Sequence, residues 1–300
     1  MAAKIEDYGF IGNLCTGALV SKNAELDWLC APRFDSDACF AALLGYDEHG
    51  RWAVHPTEAV RTVEQRYRGN TLVLETDFVT DGGRVRVTDF MPIGGDKRTD
   101  VLRIVEGLEG EVELEMLLDV RFGYGASEPS IVRDADAVRF TAGPDSMVLH
   151  TRAPLEVGPR RVAAYPRVHA GERIPFQLTW YSSHESAPGA LDVEAALSET
   201  EAWWESWCER STYDGGFEEA VTRSLITLKG LTYAPTGALV AALTTSLPEA
   251  LGGVRNWDYR YCWLRDASLT LDALLIAGYG DEARAFRDWL LRAAAGAPRD

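Results

Sequence analysis

The stretch EVELEMLLDV, Glu111 to Val120, decides the fold. Val112, Leu114, Met116, Leu118 and Val120 alternate with Glu111, Glu113, Glu115, Leu117 and Asp119. Successive side chains of a strand point to opposite faces, so this period of two predicts a strand with one face turned inward. Ile174, Phe176, Leu178 and Trp180 alternate in the same way. Upstream, TLVLETDFV (Thr71 to Val79) is followed by Asp81-Gly82-Gly83 and then RVRVTDF. Two β-rich runs around a glycine-containing turn are a hairpin signal. Over roughly the first 185 residues, many short strands parted by Gly and Pro, with no regular helices, predict an antiparallel β-sandwich.

The pattern changes at Ala187-Pro188-Gly189. DVEAALSETEAWWESWCER then reads as a helix, with Leu197, Trp204, Trp207 and Cys208 on one side. From Phe217 the spacing of Val221, Ser224, Leu225 and Leu228 predicts a second helix stopping at Gly230. Ala267, Leu271, Leu274 and Leu275 form the next stripe, up to Gly278. Asp281 opens one more helix, with Phe286, Trp289, Leu290 and Ala293 facing inward. The domain plan is therefore a β-sandwich over 1–187, a linker helix within 188–212, and helices over 213–300. So few helices with such wide apolar faces do not close an all-α domain. With Gly296-Ala297-Pro298-Arg299-Asp300 at its end, the sequence reads as cut in mid-domain. There is no internal repeat and no low-complexity segment.

At roughly 150 residues per domain, 300 residues fit about two domains. The 46 acidic against 30 basic residues give a net charge of −16, which offers no long-range attraction to nucleic acid or an anionic membrane. The start, MAAKIEDYGF, is not a signal peptide, and no apolar run reaches the roughly 18 residues a membrane span needs. Cys15, Cys30, Cys39, Cys208 and Cys262 are odd in number and lack C-x-x-C spacing, so reduced thiols are expected, with neither zinc nor disulfides. A cytoplasmic protein without metal or cofactor, and with no nucleic-acid or membrane partner, is the expectation. The oligomeric state is not legible.

RNWDYRYCWLRDA, Arg255 to Ala267, lies between two helical stripes. It packs two tryptophans, two tyrosines, three arginines and two aspartates into 13 residues. Plain connectors favour Gly, Pro, Asn and Ser. Sugars suit the mixture found: aromatic rings cover the apolar faces of a pyranose, and Arg and Asp make directional, charge-assisted bonds to vicinal hydroxyls. A structural reading also fits. Asp266 is a favourable first-turn helix residue, Arg265 neutralises a buried carboxylate, and the tryptophans belong to the core.

The run Asn256-Trp257-Asp258-Tyr259-Arg260-Tyr261-Cys262-Trp263-Leu264-Arg265-Asp266 resembles the first substrate-binding segment of glycoside hydrolase family 15. That family holds glucoamylases, glucodextranases and the trehalases of actinobacteria and archaea. This form, and the opening block IEDYGFIGNLCTGALVSKNAELDWLCAPRFDSDACFAALLG from Ile5 to Gly45, are most like the trehalase-type members. The resemblance implies an N-terminal β-sandwich followed by the first helices of an incomplete (α/α)6 barrel, and an α-glucoside substrate. It implies that Arg265 and Asp266 bind the hydroxyls of the attacked glucose, that Trp263 walls the subsite, and that Tyr259 lies near the reacting centre. Trp257 and Arg255 flank it. Trp28, Arg33 and Asp35 either reach the cleft or serve turns and sandwich packing, the second being favoured.

Inverting glycosidases use two carboxyl groups, about 6.5–9.5 Å apart to admit a water. By resemblance both are glutamates on later barrel loops, beyond Asp300. Among the acids present, Glu201, Glu205 and Glu209 read as a solvated helix face, and Asp281 and Glu282 as first-turn dipole residues. No catalytic residue is therefore expected in this chain. Trehalose hydrolysis is the first expectation for the whole protein, and glucoamylase- or glucodextranase-type action the second. A carbohydrate-binding or inactive relative, and an α-glucoside phosphorylase, are the readings from other classes.

Overall fold

A computed structural model describes residues 3–94, 98–134 and 136–295. Two antiparallel sheets share one strand, Thr99–Asp119. Over 99–110 it pairs with Gly83–Phe90 and Arg173–Ser182. The first sheet continues outward on one side through Leu74–Thr80 to Val60–Tyr67, and on the other through Asp145–Thr151 and Ala137–Ala142 to Ser130–Asp134. Over 111–119 the shared strand pairs with Arg51–Pro56, Val162–Ala164 and Arg167–His169. Beyond Arg51–Pro56 the second sheet runs through Glu25–Cys30 and Gly17–Ser21 to Tyr8–Gly12.

The shared strand changes sheets at Gly110, whose φ is +64°. A Cβ there would lie 2.2 Å from the Gly82 carbonyl oxygen, so only glycine makes the crossing. The alternation read from the sequence is what closes the sandwich. Val112, Leu114, Met116 and Leu118 point inward and meet Phe78, Val85 and Val87 of the first sheet and Leu26, Trp52 and Val54 of the second. Leu117, on the opposite phase, packs outside with Ala53 and Ala163. Buried Arg103 links the layers: it pairs within the first sheet with Asp89 at 2.7 Å and donates across to the carbonyls of Trp52 and Ala24 at 2.6 Å each. Burial pushes the Asp89 carboxyl up in spite of that guanidinium.

Among the described residues four α-helices follow: α1 (Val193–Cys208), α2 (Glu218–Gly230), α3 (Leu264–Ile276) and α4 (Gly280–Ala294). A small hairpin, Thr232–Tyr233 with Ala238–Leu239, lies between α2 and α3. Asp192 caps α1 by accepting from the Ala195 amide at 3.1 Å. The helix is packed at both ends. Val193 and Leu197 lie on Val73, Phe90, Leu102 and Ile104 of the first sheet. Trp204 and Trp207 enter a second core with Phe10, Trp28, Leu225, Leu274 and Tyr279. Glu201 does not belong to a solvated face as its spacing suggested, because Arg68 reaches across from the sandwich and pairs with it at 2.8 Å.

The helical stripes need four corrections. In α2 Ser224 faces solvent and Ile226 is buried instead. In α3 Leu275 is 53% exposed, and in α4 Leu290 and Ala293 are exposed. Spacing marks an apolar stripe, but burial needs a partner across from it, and among the described residues nothing stands there. Gly296 to Asp300 lie outside the described residues. All five cysteines carry free thiols. Among the described residues no helix is long and apolar enough to cross a membrane.

Candidate functional site

Residues 255–261 form one side of an irregular antiparallel ribbon whose other side is 241–249. Backbone amides of Ala241, Ala242, Ser246 and Glu249 donate to the carbonyls of Tyr261, Tyr259, Trp257 and Arg255 at 2.7–3.2 Å. The Ser246 hydroxyl accepts from the Trp257 amide at 2.8 Å. The ribbon then turns at Trp263 into α3, with Arg265 and Asp266 in the first helical turn.

Three of the expected residues form a ring cluster. Trp263 meets Tyr259 edge to face at 5.3 Å and Trp257 at 6.1 Å between centroids. The Trp263 indole donates to the Asp258 carbonyl at 3.0 Å, and that of Trp257 to Glu249 at 3.2 Å. Trp263 and Asp266 also line a cavity of about 30 Å³ with Leu228, Leu231, Val240 and Ala241. That is room for a water or two, not a sugar.

Arg265 and Asp266 pair with each other at 3.0 Å, with the guanidinium side chain 69% and the carboxylate 35% exposed. Arg265 therefore neutralises no buried carboxylate, and the pair keeps donors and acceptors open to solvent. Arg255 stands apart at the far end, largely exposed and 4.0 Å from Glu249. Trp28 does not face outward: it is buried and donates its indole N–H to the Leu243 carbonyl at 2.8 Å, beneath the ribbon. Arg33 and Asp35 pair with each other at 2.9 Å on an exposed bend.

Composition alone missed Arg260. It is buried in the middle of the ribbon and grips Asp258 through two nitrogens at 2.7 and 3.0 Å. Those bonds hold the Asp258 carboxyl below its ordinary range and push the guanidinium further up. Its remaining nitrogen donates to the Tyr124 hydroxyl at 2.6 Å, the Ser36 carbonyl at 2.9 Å and the Cys30 sulfur at 3.5 Å. Burial pushes the Cys30 thiol up to about 11, so it stays a neutral partner. The local signal is Asp258 two residues before Arg260: in the turn at Tyr259-Arg260 the Asp258 carboxylate accepts from the Arg260 amide at 3.0 Å as well as from its guanidinium.

Glu282 stands in the first turn of α4 as expected, and it is also buried, accepting from Trp207 at 2.8 Å, Arg210 at 3.0 Å and Lys229 at 3.2 Å. Among the described residues no group of three His, Cys, Asp or Glu is placed to hold a metal.

Comparison with known proteins gives two family matches. Residues 1–154 match the model described as "Trehalase-like, N-terminal", and residues 215–300 match "Glycosyl hydrolases family 15". The chain is 37% identical over 298 residues to a trehalase of Thermoplasma volcanium, covering 94% of this chain and 46% of that protein. It is 33% identical over 309 residues to a trehalase of Mycolicibacterium smegmatis, covering 94% and 46%, and 34% identical over 286 residues to Trehalase 1 of Sulfolobus acidocaldarius, covering 94% and 48%. The chain thus spans about half the length of the relatives it matches.

Proposed function

Because the chain belongs to glycoside hydrolase family 15, with the family's trehalase-like N-terminal domain at its front, we propose that it supplies the glucose-holding half-site of an inverting α-glucoside hydrolase. The observation that carries this reading is the open Arg265–Asp266 pair beside the rings of Trp257, Tyr259 and Trp263. A guanidinium donates and a carboxylate accepts, so two adjacent hydroxyls of one ring match the pair. The aromatic edges and faces suit the C–H surface of a pyranose. Tyr259 is assigned the side nearest the reacting centre, Trp263 the wall, and Trp257 and Arg255 the flank.

On this reading the acid and base glutamates come from further helices of an (α/α)6 barrel, completing the domain that begins near residue 213. The uncovered apolar side chains Leu264, Leu269 and Leu275 of α3 and Leu291 of α4 support it, since such surface is stabilised by burial. Trehalose is the preferred substrate because the relatives at 33–37% identity are trehalases. Glucoamylase- or glucodextranase-type cleavage of other α-glucosides is the second reading, and a sugar-binding relative without catalysis the third.

The test is Arg265→Ala in the full-length protein, assayed on trehalose, maltose, isomaltose and starch with the anomer of the released glucose followed by NMR. Trehalose turnover releasing β-glucose from the attacked unit is expected. The variant should lose kcat/KM by about 100-fold or more while Tm barely moves, as expected for an exposed residue making interactions to the transition state. Near-normal activity in the variant overturns the assignment.

A further inference from the structure

Two aromatic residues of the sandwich hold the two sides of the ribbon from beneath. Trp28 donates to the Leu243 carbonyl on one side. Tyr124 accepts from Arg260 on the other, with the guanidinium 5.5 Å from its ring centre. The two rings lie 6.4 Å apart. Tyr124 reaches its place at a cost, with φ at +60°, a region L residues seldom adopt, between Gly123 and Gly125. Arg260 fills the contact completely, with bonds to Asp258, Tyr124, Ser36 and Cys30. Tyr259, the residue before it, bears on Trp263.

We propose that Arg260 is a positioning residue through which the β-sandwich, by way of Tyr124, sets the geometry of the sugar subsite. The inference rests on the reading of Trp257 to Asp266 as that subsite. Without the grip, the peptide between Asp258 and Tyr261 keeps its ribbon bonds but loses its depth against the sandwich, and Tyr259 and Trp263 shift with it. Lysine cannot replace the grip, because one ammonium cannot hold a carboxylate through two parallel bonds and three further acceptors at once. A group that only orients the reacting partners acts on the rate of the bound complex, and misplacement by about 1 Å is worth up to roughly 100-fold.

The experiment compares five variants of the full-length protein on trehalose: Tyr124→Phe, Arg260→Lys, the double variant carrying both, Arg265→Ala, and Val138→Ala in the sandwich core as a stability control. Tyr124→Phe is expected to lower kcat/KM about tenfold and Arg260→Lys between about 10- and 100-fold, more in kcat than in KM. The double variant should fall no further than Arg260→Lys alone, since one contact is removed twice. Val138→Ala should lower Tm and leave kcat/KM unchanged. If Tyr124→Phe and Arg260→Lys lower Tm yet keep kcat/KM while Arg265→Ala loses it, the grip is structural and the inference is overturned with the subsite intact. If Arg265→Ala keeps its activity, the subsite reading fails and takes the inference with it. Should Arg260→Lys not fold, Tyr124→Phe decides alone, since it removes one hydroxyl and no carbon.

Discussion

Glu282 stands in the first turn of α4, where helix-dipole logic alone leaves a carboxylate in water. Instead it joins three helices: Trp207 and Arg210 from α1 and its following turn, and Lys229 from α2. Burial pushes its carboxyl up, but the Trp207 N–H and the Lys229 ammonium outweigh it and hold the group below its ordinary value of 4.5. A depressed acid stabilises the fold above its unfolded value, and that contribution is lost as pH falls through the folded value. Glu282→Gln should therefore cost about 1–3 kcal/mol at pH 7 in urea denaturation, since Lys229 and Arg210 lose their charge partner. The gap between variant and parent should narrow as pH drops below about 4.5. A gap that is constant from pH 7 to pH 3 would mean the charge does no work. Sequence spacing placed Glu282 on the helix correctly and said nothing of Lys229, 53 residues earlier. The same holds for Arg260, counted as one more charge in the motif, whose partner Tyr124 lies 136 residues away. Long-range pairing leaves no local period to read.

Elements with a period of two were legible because one face of each strand is buried along its length, as Val112 to Leu118 show. Helical stripes were legible in position but not in depth. Leu274 and Phe286 are buried as their spacing predicts, whereas Leu275 and Leu290 on neighbouring faces are exposed. Local sequence fixes which side of a helix is apolar, while tertiary contact decides how wide a strip is covered. Gly230 illustrates the tight case. It closes α2 against the first strand, and a Cβ there would lie 2.6 Å from the Phe10 ring and 2.9 Å from Leu72. Gly230→Ala gains roughly 1 kcal/mol of helix propensity and pays about 1–3 kcal/mol in forced repacking. A net fall in Tm is the expected outcome; a rise would show that Phe10 yields freely.

For the molecule as a whole, surface and length belong together. Leu247, Leu251, Val254, Leu264, Leu269, Ile276 and Leu291 are all exposed, on the helical side and its loop. The chain also spans under half the length of the relatives it resembles. Residues 1–300 expressed alone should show no hydrolysis of trehalose or maltose above blank and should enhance the fluorescence of an apolar dye such as ANS. Turnover that disappears with a substitution inside this chain would sink the first expectation, and silence of the dye the second. The shared strand Thr99–Asp119 has a consequence of another kind, in the order of synthesis. Its partners Arg51–Pro56 and Gly83–Phe90 leave the ribosome before it, but Arg173–Ser182 follows some 60 residues later. At about 5–20 residues per second, the newborn chain waits several seconds with one long, apolar strand edge unpaired. A translational pause between residues 120 and 172 therefore lengthens the interval in which two nascent chains can pair with each other instead of with themselves.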